Sequence, residues 1–502
     1  MKTNLRIRLL YLLVTVAIGI SANGQTTQNT IGQPNGPERR NAAQFTVSGY
    51  IKDASNGEGL IGVSVYVKET GTGTVTNNYG FYAVTAPAGN YTLIISYVGF
   101  QKETRSVSLT DRNLRLDVEL QEEGKQLQEV VVSTKAEDDN VKNIEMSVNQ
   151  IDVKTLKRIP ALLGEVDVVR SIQLLPGVST VGEGATGFNV RGGSIDQNLV
   201  LLDEAPVYNS SHLFGFFSVF NPDAVKDVKL IKGGIPSNYG GRVSSILDVR
   251  LKEGNAKKPE LNGGIGLIFS RLSYERPVFK GKGSFIVAAR RSYADILAQP
   301  FLNSDLRGSK FYFYDLTAKG NYRINDKNTV FLSGYLGRDV FGADFGFNWG
   351  NATVSARWNH VFSDRLFLNT TAYYSNYDYS LNSDLNDFFR TESRIVDYSL
   401  KPDFSLFLGK NTITFGGQSI VHDFQPGTAT AASAGAVRSF GLSSKYALEN
   451  ALYVGNEQQV TPKLQLQYGL RYSLFSYIGP GEAYFILTDV PSGQRRTVLT
   501  TV

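Results

Sequence analysis

The half of the chain after Lys257 alternates apolar and polar residues over long segments. In "KLQLQYGLRYSL" every second residue from Leu464 to Leu474 is leucine or tyrosine, and most of the residues between are polar. Forty aromatic residues follow Lys257, against 17 before it. A period of two predicts long strands with one apolar and one polar face. Two folds fit: a soluble sandwich with the apolar face inward, or an outer-membrane barrel with the apolar face on lipid.

The N-terminus indicates export. Three basic residues precede an apolar run from Leu9 to Ile20, and the small residues of "SANG" precede Gln25. This pattern predicts a cleaved signal peptide over residues 1–24. After Gln25 no apolar run approaches the ~20 residues of a membrane helix. The chain has no cysteine, which excludes disulfides and a lipid-anchored cysteine. Export, aromatic content and alternation together favour the barrel.

Charge and motifs argue against nucleic-acid binding and catalysis. The formal net charge of +5 falls to +2 without the three basic residues of the signal, too little to indicate a nucleic-acid partner. The three histidines, His212, His360 and His422, are far apart and form no zinc motif. The spacing Gly182-x-Gly184-x-x-Gly187 lacks the strand before it and the helix after it that a dinucleotide site needs. We expect no enzyme, no metal site and no cofactor.

A small β-domain is predicted near the N-terminus. Residues 25–44 are a polar, flexible lead-in, and residues 45–120 contain about seven short strands separated by Gly, Asn and Pro turns. That pattern predicts a β-sandwich. The stretch "VSGYIKDASNGEGLIGVSVYVKETGTGTVTNNYGFYAVTAPAGNYTLIISYVGF" resembles the carboxypeptidase-regulatory-like domain, a transthyretin-type sandwich. The resemblance implies a non-catalytic domain.

Residues 121–140 change character again. The segment "LQEVVVST" places three valines between charged stretches, and its candidate residues are Leu127, Glu129, Val130, Val131 and Val132. From the residues alone, a linker and a strand that pairs with a partner's sheet edge are equally supported.

The most distinctive stretch of residues 141–252 is "GFNVRGGSIDQNLVLLDEAPVY". Arg191 precedes Gly192 and Gly193, and the apolar run 199–202 stops at Asp203 and Glu204. The order of "PGV", "FNVRGG", "LVLLD", "LIKGG" and "YGGRVSSILDV" resembles the plug domain of TonB-dependent outer-membrane receptors, closest to those of Bacteroidetes-type bacteria. The resemblance assigns to the plug motif Arg191, Gly192, Gly193, Asp203, Glu204, Gly233, Gly234, Gly240 and Gly241.

A plug has to fill a barrel without fusing to it. We expect a small apolar core from residues 199–202 and a polar rim facing the barrel wall from Arg191, Asp203 and Glu204. Gly192 and Gly193 would let the backbone turn. The alternative for Arg191 is that it only solvates a turn. Glu204-Ala205 departs from the family, in which a glycine commonly follows the aspartate.

The resemblance implies a nutrient importer of the outer membrane. "LQEVVVST" then occupies the slot of the TonB box, and the implied partners are the inner-membrane TonB complex and outer-membrane lipid. A surface lipoprotein stays open as a further partner. Iron chelates, cobalamin, oligosaccharides and peptides all remain possible ligands. The alternatives are a receptor that signals to a periplasmic partner and a secreted β-protein without transport.

The expected fold is mainly β: a transthyretin-like sandwich, an α/β plug and an antiparallel barrel. "GLIFSRLSYERPVFKGKGSFIVAARRSYADIL" resembles the first barrel hairpin of the family. Residues 257–502 leave room for about ten strands, whereas transporters with a plugged lumen have ~22. We therefore expect residues 257–502 to be the N-terminal part of a truncated barrel, an open sheet with two unpaired edges.

Overall fold

The computed structural model describes residues 43–123, 147–152, 166–180, 182, 187–301, 308–342, 345–383, 389–431, 440–461, 464–479, 482–486 and 497–501. The predicted signal peptide, nearly all of the lead-in and the TonB-box candidates at 127–132 lie outside these residues. Strands dominate the described chain, so the prediction of a mainly β fold is confirmed. Neither described helix combines the length and apolar character that a membrane crossing requires.

The first domain is a sandwich of two four-stranded sheets. In one sheet, β1 pairs with β4, β7 and β8; the other has the order β3-β2-β5-β6. Alternate residues of both sheets, among them Ile51, Val65 and Ile95, are fully buried between them. The strands are β1 Gln44–Asp53, β2 Ser64–Val67, β3 Thr72–Val75, β4 Phe81–Pro87, β5 Gly89–Ser96, β6 Glu103–Leu109, β7 Leu114–Arg115 and β8 Val118–Leu120.

The second domain is the plug, built on a five-stranded mixed sheet of order β13-β12-β17-β16-β9. Strands β12 and β17 are parallel, and the other pairs are antiparallel. Helix α1, Val168–Gln173, is N-capped by Asp167 and buries Val168, Val169 and Ile172. The strands are β9 Val148–Asp152, β10 Val178–Thr180, β11 Phe188–Val190, β12 Asn198–Leu202, β13 Ala205–Pro206, β14 Ser211–His212, β15 Phe217–Ser218, β16 Val225–Ile231 and β17 Ser245–Leu251.

The rest of the chain forms one large antiparallel sheet, here called the wall. Eleven of its strands follow one another side by side, β18 to β26, β28 and β29, and the short β27 pairs with β26. The strands are β18 Glu260–Ile265, β19 Phe269–Val278, β20 Gly283–Ser292, β21 Lys310–Asn325, β22 Asn328–Gly342, β23 Phe345–Ser363, β24 Leu366–Ser383, β25 Phe389–Leu408, β26 Asn411–Ala431, β27 Phe440–Gly441, β28 Lys445–Thr461 and β29 Leu464–Ile478.

The wall is an open sheet. Among the described residues no pairing joins β18 to β29, and the last two strands, β30 Glu482–Ile486 and β31 Thr497–Thr501, pair only with each other. The expectation of about ten strands in an open sheet is confirmed. Helix α2, Ala294–Ala298, lies in the connection between β20 and β21.

The alternating pattern of the wall is apolar outside and polar inside. On β23, Ser355 and Arg357 are 2% and 5% exposed, whereas Val354 and Trp358 are 47% and 40% exposed. A soluble sandwich would bury the apolar set instead. The burial therefore favours the barrel-type arrangement, in which the polar face is covered by the plug.

The two ends of the wall differ in their connections. At one end, called the short-turn end, strands are joined across 326–327, 364–365 and 409–410. At the other, called the loop end, the connections range from two residues, 343–344, to seventeen, 293–309. The difference gives the sheet a direction, because outer-membrane barrels have short turns on the periplasmic side and longer loops outside.

Candidate functional site

The acid pair of the plug forms a tight turn between β12 and β13. Asp203 and Glu204 have φ angles of 47° and 74°, and Leu202 pairs with Ala205 across them. Two consecutive positive φ angles in a two-residue hairpin are typical of Asn-Gly or Asp-Gly. A glutamate in this conformation costs on the order of 1–3 kcal/mol. Residues 203–204, called the acid turn below, are thus strained, and contacts elsewhere must offset the strain.

Asp203 makes its contacts with the wall. The carboxylate is 1% exposed, and its Oδ2 lies 3.1 Å from both Lys319 Nζ on β21 and Arg357 Nη2 on β23. Its Oδ1 accepts a hydrogen bond of 3.1 Å from the backbone N–H of Leu251. One plug carboxylate therefore pairs with two basic side chains of the wall in a buried setting.

Glu204 connects all three domains. Its Oε1 accepts hydrogen bonds from Arg250 of the plug at 2.9 Å and from the Tyr79 hydroxyl of the sandwich at 2.8 Å. On the wall, Thr371 donates to Oε2 at 2.6 Å and Asn369 donates to Oε1 at 3.3 Å. These charge-assisted bonds explain why a glutamate is held where a glycine is usual.

Both carboxylates of the acid turn are held ionised. Burial would raise the pKa of Asp203, but Arg357, Lys319 and Arg250 together hold it below its usual value. Burial would likewise raise the pKa of Glu204, and Arg250, Lys401 and Arg357 lower it below its usual value. A buried ion pair is costly to break from one side, because the remaining partner is left as an uncompensated charge.

A second hairpin, β14–β15, joins the plug to the wall through a histidine. His212 Nδ1 lies 2.6 Å from Asp339 Oδ2 and its Nε2 lies 3.3 Å from Asp315 Oδ2. Burial would lower the pKa of His212, but Asp339 and Asp315 raise it above its usual value overall. His212 belongs to no zinc motif in the sequence, and in the structure it makes a buried charged contact with the wall.

The next residues of that hairpin present an aromatic ring at the loop end. Phe214 has a φ angle of 56° and is 54% exposed. Its ring centroid lies 4.9 Å from that of Trp349, 5.6 Å from Phe341 and 6.1 Å from Phe347. An exposed aromatic residue held in a strained conformation is a candidate for ligand contact.

Arg191 does not belong to the wall-facing rim in this structure. It is exposed, has a φ angle of 51°, and donates from Nη2 to Ser147 Oγ at 2.7 Å, within the plug. Gly233 makes room for it, since a Cβ there would lie 2.7 Å from Arg191 Nη1. The expected rim position is therefore corrected: Arg191 braces two turns of the plug.

The glycines of the plug motif serve turns and close approaches. Gly192, Gly234 and Gly241 have φ angles of 83°, 63° and 80°. At Gly240 a Cβ would lie 2.4 Å from Arg471 Nε of the wall, and at Gly193 a Cβ would lie 2.4 Å from Ser244 Oγ. Gly240 is thus the motif glycine at which a wall side chain comes closest to the plug backbone.

Sequence reasoning missed the basic and hydroxyl partners of the acid turn. Lys319, Arg357 and Thr371 occupy polar positions of alternating strands, and such positions signal only the polar face of a sheet. Tyr79 lies in the sandwich, more than a hundred residues before Glu204. Contacts between distant segments leave no local signal in the sequence. A basic residue in the middle of a long wall strand does indicate that an acidic partner faces it.

Two family models match the N-terminal half of the chain. Residues 47–132 match the CarboxypepD_reg-like domain, and residues 140–245 match the TonB-dependent Receptor Plug Domain. Among curated proteins, TonB-dependent receptor SusC of Bacteroides thetaiotaomicron is 26% identical over 282 residues, which are 53% of this chain and 26% of SusC. TonB-dependent receptor P39 of Formosa agariphila is 28% identical over 230 residues, 44% of this chain and 21% of P39.

Solved structures support the fold. A mutant of the ferric enterobactin receptor PfeA of Pseudomonas aeruginosa has a TM-score of 0.51 and 16% identity, covering 69% of this chain and 60% of that one. The copper transporter OprC has a TM-score of 0.51 and 10% identity, covering 71% of this chain and 59% of that one. This chain spans about a quarter of the length of the curated relatives and about 60% of these structures.

The fold and the order of the domains are similar to those of TonB-dependent receptors. The resemblance to receptors of the Bacteroidetes type, with a regulatory-like sandwich before the plug, is confirmed. The predicted location in the outer membrane is confirmed with it.

Proposed function

We propose that the protein imports a scarce nutrient across the outer membrane with energy transmitted by TonB. The observation that carries the proposal is the polar character of the plug–wall interface. Of the described buried side chains in the main plug core, only Ala288 and Tyr335 come from the wall. One further small apolar cluster joins Leu213 and Phe217 of the plug to Phe269 and Phe313 of the wall. The acid turn and His212 are instead joined to the wall by hydrogen bonds and ion pairs. An interface of this kind can be released without exposing a large apolar surface.

The direction of transport follows from the two ends of the wall. The ligand binds at the loop end, where Phe214 and its aromatic neighbours offer stacking surfaces. It leaves at the short-turn end after TonB has pulled on "LQEVVVST" and loosened the plug. The protein acts as a carrier and not as an enzyme. The similar proteins include SusC, a ferric enterobactin receptor and a copper transporter, so they do not point to a single ligand. The ligand here belongs to one of four classes: iron chelates, cobalamin, oligosaccharides or peptides.

Uptake in whole cells tests the proposal. Labelled cyanocobalamin, an iron-55 siderophore, a labelled oligosaccharide and a labelled peptide are compared in wild-type and deletion strains, with and without a protonophore. We expect one probe to enter only in the wild type and only in energised cells. Uptake of all four probes that is the same in both strains would contradict the proposal.

The substitution Val131→Pro tests the role of "LQEVVVST". Proline removes the N–H that would bond to the edge of TonB's sheet. Energised uptake is expected to be lost, while binding of the same probe to isolated outer membranes is retained. Val131→Thr is the matched control, because it keeps the N–H and the β-branched shape. Normal uptake by the proline variant would show that the segment is only a linker.

A further inference from the structure

The sandwich is docked on the short-turn end of the wall. The clearest contact is aromatic: the ring of Phe81 on β4 lies 5.2 Å from that of Phe367 and 5.9 Å from that of Phe407. All three rings are nearly fully buried, with exposed fractions of 2%, 1% and 5%. Phe367 and Phe407 lie on β24 and β25 next to the connections 364–365 and 409–410. The sandwich therefore packs against the mouth that faces away from the loops.

A polar border surrounds this aromatic contact. Asp364 accepts hydrogen bonds from Asn113 Nδ2 at 2.9 Å and from Ser48 Oγ at 3.2 Å. Arg365 Nε donates to Thr46 Oγ1 at 2.7 Å. The Asn113–Asp364 contact is exposed to solvent, where polar bonds contribute little net stability. A small buried centre with a wet border is typical of domain contacts that can separate.

The sandwich also contacts the plug at the same mouth. Lys226 Nζ of the plug donates to the Gly59 carbonyl at 2.7 Å, and the Ala256 N–H donates to the Asn56 carbonyl at 2.8 Å. The Tyr79 hydroxyl reaches Glu204 in the acid turn. Glu204 takes its hydrogen-bond donors from all three domains, so loss of the sandwich removes one of the bonds that hold the strained turn.

The docked sandwich forms one side of a large cavity. This cavity, about 2020 Å³ in volume, is lined by Tyr66 and Tyr97 of the sandwich, Tyr239 of the plug and Lys401 of the wall. The sandwich lines this cavity together with Gly409 and Lys410 at the short-turn end, and Arg471 of the edge strand β29 lines it as well. The docked sandwich therefore covers the cavity at the short-turn end.

From these contacts we infer that the regulatory-like sandwich is a detachable gate on the inner mouth of the receptor, and that Tyr79 couples its docking to the acid turn. The inference rests on the proposed function for the direction of passage. When the gate is docked, Tyr79 supports the turn and the cavity is covered. When it separates, the cavity opens and the turn loses a bond, which prepares the plug for displacement.

A disulfide lock tests the gate, because the chain has no cysteine of its own. Asn113→Cys with Asp364→Cys bridges sandwich and wall, whose side chains meet at 2.9 Å. Thr92→Cys with Ser106→Cys is the matched control, since these residues face each other on β5 and β6 inside the sandwich. The N–H of Thr92 donates to Glu69 and its carbonyl accepts from Lys68, so Thr92 and Ser106 form a non-hydrogen-bonded pair. Such pairs have the shorter Cα–Cα distance in an antiparallel sheet, which suits a disulfide.

The readout is K⁺ current through the full-length receptor in planar phosphatidylcholine bilayers, as urea loosens the plug. The oxidised gate pair is expected to stay closed at urea concentrations at which the reduced pair, the wild type and the oxidised control pair conduct. Equal opening of the oxidised and reduced gate pair would overturn the inference. If no form conducts at any urea concentration, the importer proposal fails instead, so the two failures are distinguishable.

Tyr79→Phe tests the coupling. Amide hydrogen exchange at 202–206 in outer membranes is expected to accelerate about tenfold, the factor that a hydrogen bond to a charged group typically carries. Exchange in β5 and β6 should not change, which shows that the sandwich itself stays folded. Unchanged exchange at 202–206 would show that Tyr79 does not couple docking of the sandwich to the acid turn.

Discussion

Two turns of the plug have similar sequence signals and opposite environments. Arg191-Gly192 and Asp203-Glu204 each follow a short strand, and each contains at least one non-glycine residue with positive φ. The first turn is exposed and braced by one bond to Ser147. The second is buried and holds partners from three domains. The strain of a turn therefore does not reveal its role; the charges that face it do.

The largest effect is expected from Asp203→Asn. Asparagine tolerates the positive φ and preserves the shape, so the change removes the charge and turns one acceptor oxygen into a donor NH2 group. Lys319 and Arg357 then lose their nearest carboxylate in a buried site, which typically costs about 3–5 kcal/mol. The free energy of local opening, measured by hydrogen exchange at 202–206, reports the loss. Asp196→Asn makes the same chemical change at an exposed plug residue and should have little effect; comparable losses in both variants would refute the buried-pair argument.

A smaller loss is expected from Glu204→Gln. Its main partner, Arg250, keeps Asp248, whose Oδ2 lies 2.8 Å from Nη2, so Arg250 is not left as an unpaired buried cation. Loss of the charged hydrogen bonds should cost roughly 1–3 kcal/mol in the same exchange measurement. Glu204→Gly is the companion variant, because it relieves the backbone strain while it removes every side-chain bond. If the glycine variant were more stable than wild type, strain would outweigh the contacts of Glu204.

The acid turn and His212 should respond to pH in opposite directions. The pKa values of Asp203 and Glu204 are lowered by their cationic neighbours, so their stabilisation is complete above the unfolded values of about 4 and is lost as pH falls further. The pKa of His212 is raised by Asp339 and Asp315, so its stabilisation is complete below the unfolded value of about 6.5 and is lost as pH rises through the folded pKa. The pH effect at His212 should be modest, because Asp315 keeps Arg290 at 2.8 Å.

Hydrogen exchange between pH 5 and pH 9, corrected for the intrinsic rate, measures both hairpins in one sample. Residues 211–218 should become less protected as pH rises, whereas residues 202–206 should stay constant over the same range. The variant His212→Asn provides the control, since it removes the titrating group. A rise in protection at 211–218 with increasing pH would contradict the charged histidine.

The sequence predicts the strands, but it does not predict which distant residues contact one another. Alternation from Leu464 to Leu474 predicts a strand with two unlike faces, because the period of side-chain direction is a local property. The role of Arg191 depends on which segments meet it in space. Ser147 lies 44 residues away, and no pattern near Arg191 distinguishes that contact from one with the wall. Glu204 is different, because the sequence marks it as unusual where a glycine is expected. The backbone strain of this residue is offset by hydrogen bonds from Tyr79, Arg250 and Thr371.

The smallest effect is expected from Arg191→Ala, which tests whether the exposed turn resembles the acid turn at all. The change removes one solvent-exposed hydrogen bond to Ser147 and keeps the Cβ, so the backbone strain at φ 51° is unaltered. Surface substitutions of this kind usually change stability by less than about 0.5 kcal/mol. Arg191→Gly separates the two contributions, because glycine relieves the positive φ and loses the same bond. We expect exchange at 188–193 to be nearly unchanged in the alanine variant and equal or slower in the glycine variant. A loss in Arg191→Ala as large as that of Asp203→Asn would mean that Arg191 faces the wall in the membrane and that the two turns work as one rim.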